Sequence, residues 1–191
     1  MNPLKILLIE SESISETLAP VLVNFGYTVI NASSAKVPLY QLADDNQPGL
    51  IAFNIKSPKA YLADIQQLIQ KLAIPVIIFA TDDNLETINL VVKAGVSAYV
   101  VDGLENHRLN SIIHIALARF KEQQDLKEEL EKTKSKLEER KLTDRAKGIL
   151  IKTRGFSEDE AYHTLRKLAM DRNISIAEMS KNVISMAELL K

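Results

Sequence analysis

No cysteine occurs in the 191 residues, which excludes disulfide scaffolds, Cys-ligated zinc and thiol catalysis. Long apolar runs are missing too. VIIFA at 76–80 is among the longest and falls far short of a membrane span. The apolar start lies within a strand-like pattern and lacks a small-residue cleavage site, so it does not read as a signal peptide. The expectation is a cytoplasmic protein. There is no glycine-rich phosphate loop and no HExxH, and His107, His114 and His163 are too scattered for a metal site or a triad. No cofactor is implied, and the chain does not read as an enzyme. Charge of one sign is also missing, with 24 Lys+Arg against 25 Asp+Glu. That balance conceals an asymmetry. Residues 1–118 carry 7 basic and 11 acidic side chains, whereas residues 140–191 carry 11 and 7. An acidic front and a basic tail point to a polyanionic partner for the tail.

Glycine and proline divide the chain in the same way. Residues 1–103 hold four glycines and all six prolines, and residues 104–147 hold neither. In the first part, short apolar runs at 4–9, 27–32, 50–53, 75–80 and 97–101 alternate with amphipathic stretches near 13–25, 36–45, 60–73 and 84–94. Five buried-looking strands with intervening helices predict a doubly wound α/β domain with a parallel sheet covered on both faces. Pro20 falls inside the first helical pattern and should kink or shorten that helix.

From Leu104 the pattern turns helical. A helix over 104–147 would be roughly 65 Å long at about 1.5 Å per residue. Its middle is mostly charged, but Leu126, Leu130, Thr133 and Leu137 recur at spacings of four and three. That is a thin heptad seam, and it predicts a coiled-coil homodimer. Ile113, Leu117 and Phe120 follow a shifted register, as expected where the helix leaves the first domain. The tail then reads as a three-helix unit. Leu142, Ala146, Ile149 and Leu150 share a face of its first helix, which Gly155 can end. Ser157–Glu160 and Ser175–Glu178 are capping-box patterns that start the second and third. The expected organisation is 1–118 as the α/β domain, 119–136 as a coiled-coil linker helix, and 137–191 as an all-α output domain.

In an open parallel sheet, chemistry collects at the carboxyl ends of the strands. Those ends present Glu10 and Ser11, Asn54, Ala80 and Thr81, and Asp102. The runs LLIES, LIAFN, PVIIFA and AGVSAYVVD resemble the receiver domain of bacterial response regulators. That family places an acidic pair after the first strand, a phosphorylated aspartate after the third, a hydroxyl residue after the fourth and a lysine after the fifth. Here Asn54 is a neutral amide where a nucleophile is required. Ser11 supplies no charge for magnesium, which wants carboxylate oxygens. Ala80 lacks the hydroxyl, with Thr81 one residue late, and Asp102 would repel a phosphoryl group. The expectation is a pseudo-receiver that is not phosphorylated.

The tail motifs Arg140-Lys141, Arg145 to Leu150, Ser157 to Ala161, Leu165-Arg166, Ala169-Met170 and Ala177 to Met179 resemble the ANTAR domain of antitermination regulators. Within that family the likeness is strongest to NasT-type regulators of nitrate and nitrite assimilation. The resemblance implies a homodimer whose output domains bind stem-loops in nascent leader mRNA. It also implies a receiver that docks a ligand-sensing partner, in the nitrate case a NasS-like nitrate sensor, and it implies no membrane. Lys141, Arg145, Ala146, Lys147, Gly148, Arg166, Arg172 and Lys181 are the candidate RNA-binding residues. Cations neutralise phosphate. A glycine inside a helix costs about 1 kcal/mol against alanine, so its bare surface invites close approach by another backbone. Any single cation is most often just a solvated charge, and Phe156 reads as a helix-start staple. Three short helices also describe a DNA-binding helix-turn-helix output, which is the alternative reading.

Overall fold

The computed structural model describes residues 3–11, 17–32, 37–102 and 106–189. The chain divides into two compact units, Met1–Gln124 and Asp125–Lys191.

The first unit contains five strands, β1 (Lys5–Glu10), β2 (Thr28–Asn31), β3 (Leu50–Ile55), β4 (Val76–Ala80) and β5 (Ala98–Val101). They form one sheet in the order β2-β1-β3-β4-β5, and every pairing is parallel. Parallel strands in this order need crossovers that cover both faces, so the inner strands must be apolar on both sides. β3 and β4 are buried at every residue. The outer strands β2 and β5 are only half-buried in large part, because an edge strand has one neighbour. One face carries Leu7, Ile9, Ile51, Phe53 and Ile78 against α2 (Leu39–Asn46), α3 (Leu62–Gln67) and α4 (Leu85–Ala94). The other carries Ile6, Leu8, Ala52, Ile77 and Phe79, packed with Leu18 and Leu22 and with Leu109, Ile113 and Ala116.

The helices are shorter than their periodicity predicts, and the reasons are local. α1 spans only Ala19–Asn24, with Pro20 in its first turn, where a missing N–H costs nothing. The predicted residues 13–16 lie outside the described residues, as does residue 36 of the second pattern. Pro38 precedes α2 and biases Val37 away from helical backbone. The pattern at 60–73 resolves into a 3₁₀ turn at Pro58–Tyr61, then α3, then a π-helical turn at Leu68–Leu72. α4 starts at Asn84, whose side-chain oxygen accepts the N–H groups of Glu86 and Thr87 at 2.9 and 3.3 Å.

α5 (Asn106–Arg154) begins in the first unit, and Gly148 does not interrupt it. The stretch read as a linker, 119–136, is interior to this helix. Leu126, Leu130 and Leu137 are 60%, 53% and 52% exposed, so their seam has no cover within the chain.

In the second unit α5 ends before Gly155, whose φ of +71° is the left-handed conformation that glycine adopts without strain. The Ser157 hydroxyl then accepts the Glu160 N–H at 3.3 Å, while the Glu160 carboxylate accepts the Ser157 N–H at 2.8 Å. This box starts α6 (Glu158–Asp171). Ser175 accepts the Glu178 N–H at 3.1 Å at the start of α7 (Ile176–Leu189). The core is small: Ala146, Leu165, Ala169, Met179 and Ile184, flanked by Leu142, Ile149, Leu150, Leu168 and Val183.

Candidate functional site

At the strand ends of the first unit, the residue types set by the sequence build a hydrogen-bonded cluster. β1 and β3 are paired in register, so Glu10 lies beside Asn54. The Asn54 amide, 4% exposed, donates to the Glu10 carboxylate at 3.1 Å. The same carboxylate oxygen accepts the Leu18 N–H at 2.7 Å, which ties the entry of α1 to the site. The Ser11 N–H donates to the Asn54 carbonyl at 2.9 Å. Ala80 is buried and offers no hydroxyl. The Thr81 hydroxyl turns to the Lys56 carbonyl at 3.3 Å. Asp102 is exposed, with a φ of +37°, and its N–H donates to the Ala80 carbonyl. Glu10 and Asn54 thus meet, while Thr81 and Asp102 each bond elsewhere. Among the described residues no group of three or more acidic or histidine side chains is arranged to hold a metal ion.

Beside this cluster lies a second one that the sequence reading missed. The Ser57 hydroxyl donates to Asp82 Oδ2 at 2.5 Å, and Asp82 Oδ1 accepts the Asn84 N–H at 3.0 Å. The Ser57 bond leads in holding the Asp82 carboxyl below its ordinary range, with the Asn84 N–H and the charge of Lys59 adding to it. The Tyr99 hydroxyl donates to the Asp82 carbonyl at 2.7 Å, and burial raises the phenol above its usual value, helped by Asp82 and Asp83. The run Asp82-Asp83-Asn84 ahead of a helical pattern signals only the Asn84 cap, since Asn is a preferred N-cap, and not the partners of Asp82.

In the second unit the candidate RNA-binding residues separate into three groups. Ala146 is fully buried against Leu165 and Ala169, so it belongs to the core and cannot touch RNA. Ser180, next to Lys181 on α7, is also fully buried and donates to the Ile176 carbonyl.

Arg145, Lys147 and Lys141 form the second group and are already paired. Lys147, with its side chain 15% exposed, bonds Asp144 and Glu158 at 2.8 Å each. Asp144 leads in raising the Lys147 pKa above its ordinary value, and Lys147 in turn depresses that of Asp144. This lysine ties α5 to the start of α6. Arg145 reaches Glu188 at 2.6 Å, and Lys141 bonds Glu138 at 2.8 Å. Such exposed pairs hold loosely and can exchange partners.

The third group is open. Arg166, Arg172 and Lys181 are exposed and make no ion pair among the described residues. Around Gly148 a Cβ would meet nothing within 4 Å, so helix packing within the chain does not account for the glycine. Tyr162 is 40% exposed and edge-on to His163.

A family model described as the ANTAR domain matches residues 131–184. The transcriptional regulatory protein PdtaR of Mycobacterium tuberculosis is 27% identical over 184 residues, which are 95% of this chain and 90% of that protein. The nitrate regulatory protein of Klebsiella oxytoca is 38% identical over 68 residues, 36% of this chain and 17% of its own length. Among solved structures, the signal receiver domain of a modulated diguanylate cyclase from Desulfovibrio desulfuricans has a TM-score of 0.53 at 19% identity. It covers 63% of this chain and 98% of that domain, and at this identity the likeness shows the fold alone. The chain thus carries an ANTAR domain over 131–184 behind a five-stranded sheet of receiver-type fold, and over 95% of its length it is similar to a transcriptional regulatory protein.

Proposed function

We propose that this regulator acts by transcription antitermination. Its ANTAR domain, 137–191, binds stem-loops in nascent leader mRNA and keeps a terminator hairpin from forming. The observation that carries this reading is the ANTAR match itself, on a unit whose Arg166, Arg172 and Lys181 are open and whose Gly148 is bare. The receiver, 1–118, serves as a docking surface for a signal-sensing protein. Asn54 supports this: it occupies the acceptor position as a buried amide whose hydrogen bond to Glu10 leaves no nucleophile there. The exposed leucines of 119–136 and Leu137 close a homodimer, since a polar helix of this length needs a partner to be stable. Likeness to the Klebsiella oxytoca nitrate regulatory protein favours a role in nitrate or nitrite assimilation, with a NasS-like sensor as the docking partner. No described helix is long and apolar enough to cross a membrane, in keeping with work in the cytoplasm.

The test compares binding of the full chain to a pair of leader-RNA hairpins and to duplex DNA at one salt concentration. Preference for the RNA supports antitermination. Preference for the duplex would replace it with a helix-turn-helix type of output.

A further inference from the structure

A groove of about 530 Å³ opens in the second unit between the 136–147 segment of α5 and the first turn of α7. That volume is within the range of small-molecule sites. Lys136, Glu139, Arg140, Tyr162, Ser175 and Ile176 are among its lining residues. Three kinds of group face one space there. The Tyr162 ring is an exposed aromatic surface. Arg140 is 83% exposed, and its only ion pair among the described residues is a loose one, 3.9 Å from Asp144. Lys136 and the Glu139 carboxylate make no ion pair among the described residues.

A surface that merely tracks phosphates would carry cations alone, because carboxylates repel the backbone. This groove mixes cations with carboxylates beside an aromatic ring. That combination suits a ligand with a negative group, a flat π-face and hydrogen-bond donors on one edge. A nucleotide has all three, provided its base is unstacked, since a duplex hides the face and pairs the edge. We infer that the groove seats one unstacked nucleotide of single-stranded RNA, with its base on Tyr162, an exocyclic amine on Glu139 and its phosphate on Arg140 and Lys136. Glutamate accepts from base amines in this way, and base–aromatic stacking tolerates any base. The inference rests on the RNA-binding reading and adds to it a site apart from the cations first singled out.

The experiment titrates the full chain with fluorescent oligo(A) and with an abasic oligomer of equal length, which keeps the phosphates and lacks the bases. Tyr162→Ala should weaken oligo(A) binding by about tenfold or more, since stacking on an aromatic carries a factor of this order. It should leave abasic binding and the salt slope unchanged, and Tyr162→Phe should bind as wild type. Arg140→Ala, at an exposed position outside the core, should weaken both oligomers and lower the salt slope by about 0.7. If Tyr162→Ala and Arg140→Ala bind oligo(A) as tightly as wild type, the groove is not the site, and RNA binding itself stands. If the wild type binds neither oligo(A) nor any leader hairpin at low salt, the RNA reading fails and the groove proposal falls with it.

Discussion

Replacing Gly148 by alanine places one methyl group on α5 in open space, because nothing beyond its chain neighbours and the adjacent backbone of its own helix lies within 4 Å of the position a Cβ would take. No contact is gained or lost within the chain, so the change acts on the helix itself. Alanine is more favourable than glycine in a helix interior by about 0.8–1.0 kcal/mol. Gly148 sits six residues before the end of α5 at Arg154, far enough inside for the full difference to apply. For a unit the size of 125–191, each kcal/mol moves the midpoint by about 4–8 °C. Differential scanning calorimetry of the full chain should therefore show the transition of this unit raised by roughly that amount. The transition of the receiver unit should stay where it was and serves as the internal reference. Affinity for leader RNA is the second readout. If an RNA backbone or a second protein helix seats on the bare turn, the methyl lowers affinity while the salt slope stays constant, since no charge has changed. A midpoint that stays put or falls would refute the reasoning, because it would mean that something already packs on Gly148.

Incubation with acetyl phosphate and magnesium should leave the intact mass of the chain unchanged, and a stable adduct on the receiver would overturn the docking reading. Asn54→Asp should not restore labelling, because Asp102 still stands at the lysine position; the variant also sets a second carboxylate about where the amide now meets Glu10 at 3.1 Å, so it should be less stable at neutral pH than under acid. Leu130→Lys puts a charge into the exposed seam and should shift sedimentation velocity from dimer to monomer; a wild type that is monomeric at high concentration sinks the seam. Asp144 and Glu160 are held below their ordinary pKa, by the Lys147 bond and the Ser157 N–H respectively. Depressed carboxyls contribute stability above their unfolded pKa and lose it as pH falls through the folded value, so the second unit should melt earlier below about pH 4. Ser157→Ala removes the cap and costs about 1 kcal/mol; it keeps the N–H that leads in depressing Glu160 and loses only the hydroxyl bond at 2.8 Å, so it should flatten a minor part of the Glu160 acid dependence, and complete loss of that dependence would contradict the assignment. The Lys147 share has the opposite sign, since its pKa is raised: it is complete below the ordinary lysine value and is lost only as pH climbs through the folded one.

The strands were legible because burial on two faces leaves a residue little choice. The runs at 50–53 and 75–80 became β3 and β4, displaced by a residue or two. The punctuation of the tail was legible for a similar reason: Gly155, Ser157 and Ser175 satisfy backbone groups of their own neighbourhood. The helices of the receiver were less so. Periodicity continues through 60–73, but the backbone there changes from 3₁₀ to α to π, a difference of hydrogen-bond offset that a side-chain pattern does not record. The degenerate acceptor position could be read from residue types alone. The Ser57–Asp82–Tyr99 cluster could not, since its members come from three separate loops and strands. Among the cations, charge said nothing of availability. Lys147 and Arg166 look alike in sequence, but one sits between two carboxylates and the other faces water.

The amide at Asn54 has a further consequence, for the ageing of the protein. Asparagine converts spontaneously to aspartate when its side-chain carbonyl carbon is attacked by the backbone nitrogen of the next residue, closing a five-membered imide that then hydrolyses. Such a conversion here would install the carboxylate that this receiver lacks. Ring closure needs a backbone bent toward the side chain and an amide free to turn. Asn54 has neither: it lies in extended backbone opposite Phe79, the branched Ile55 follows it, and its amide is engaged with Glu10 at 4% exposure. The sheet that buries this residue therefore also guards its chemical identity over the lifetime of the molecule.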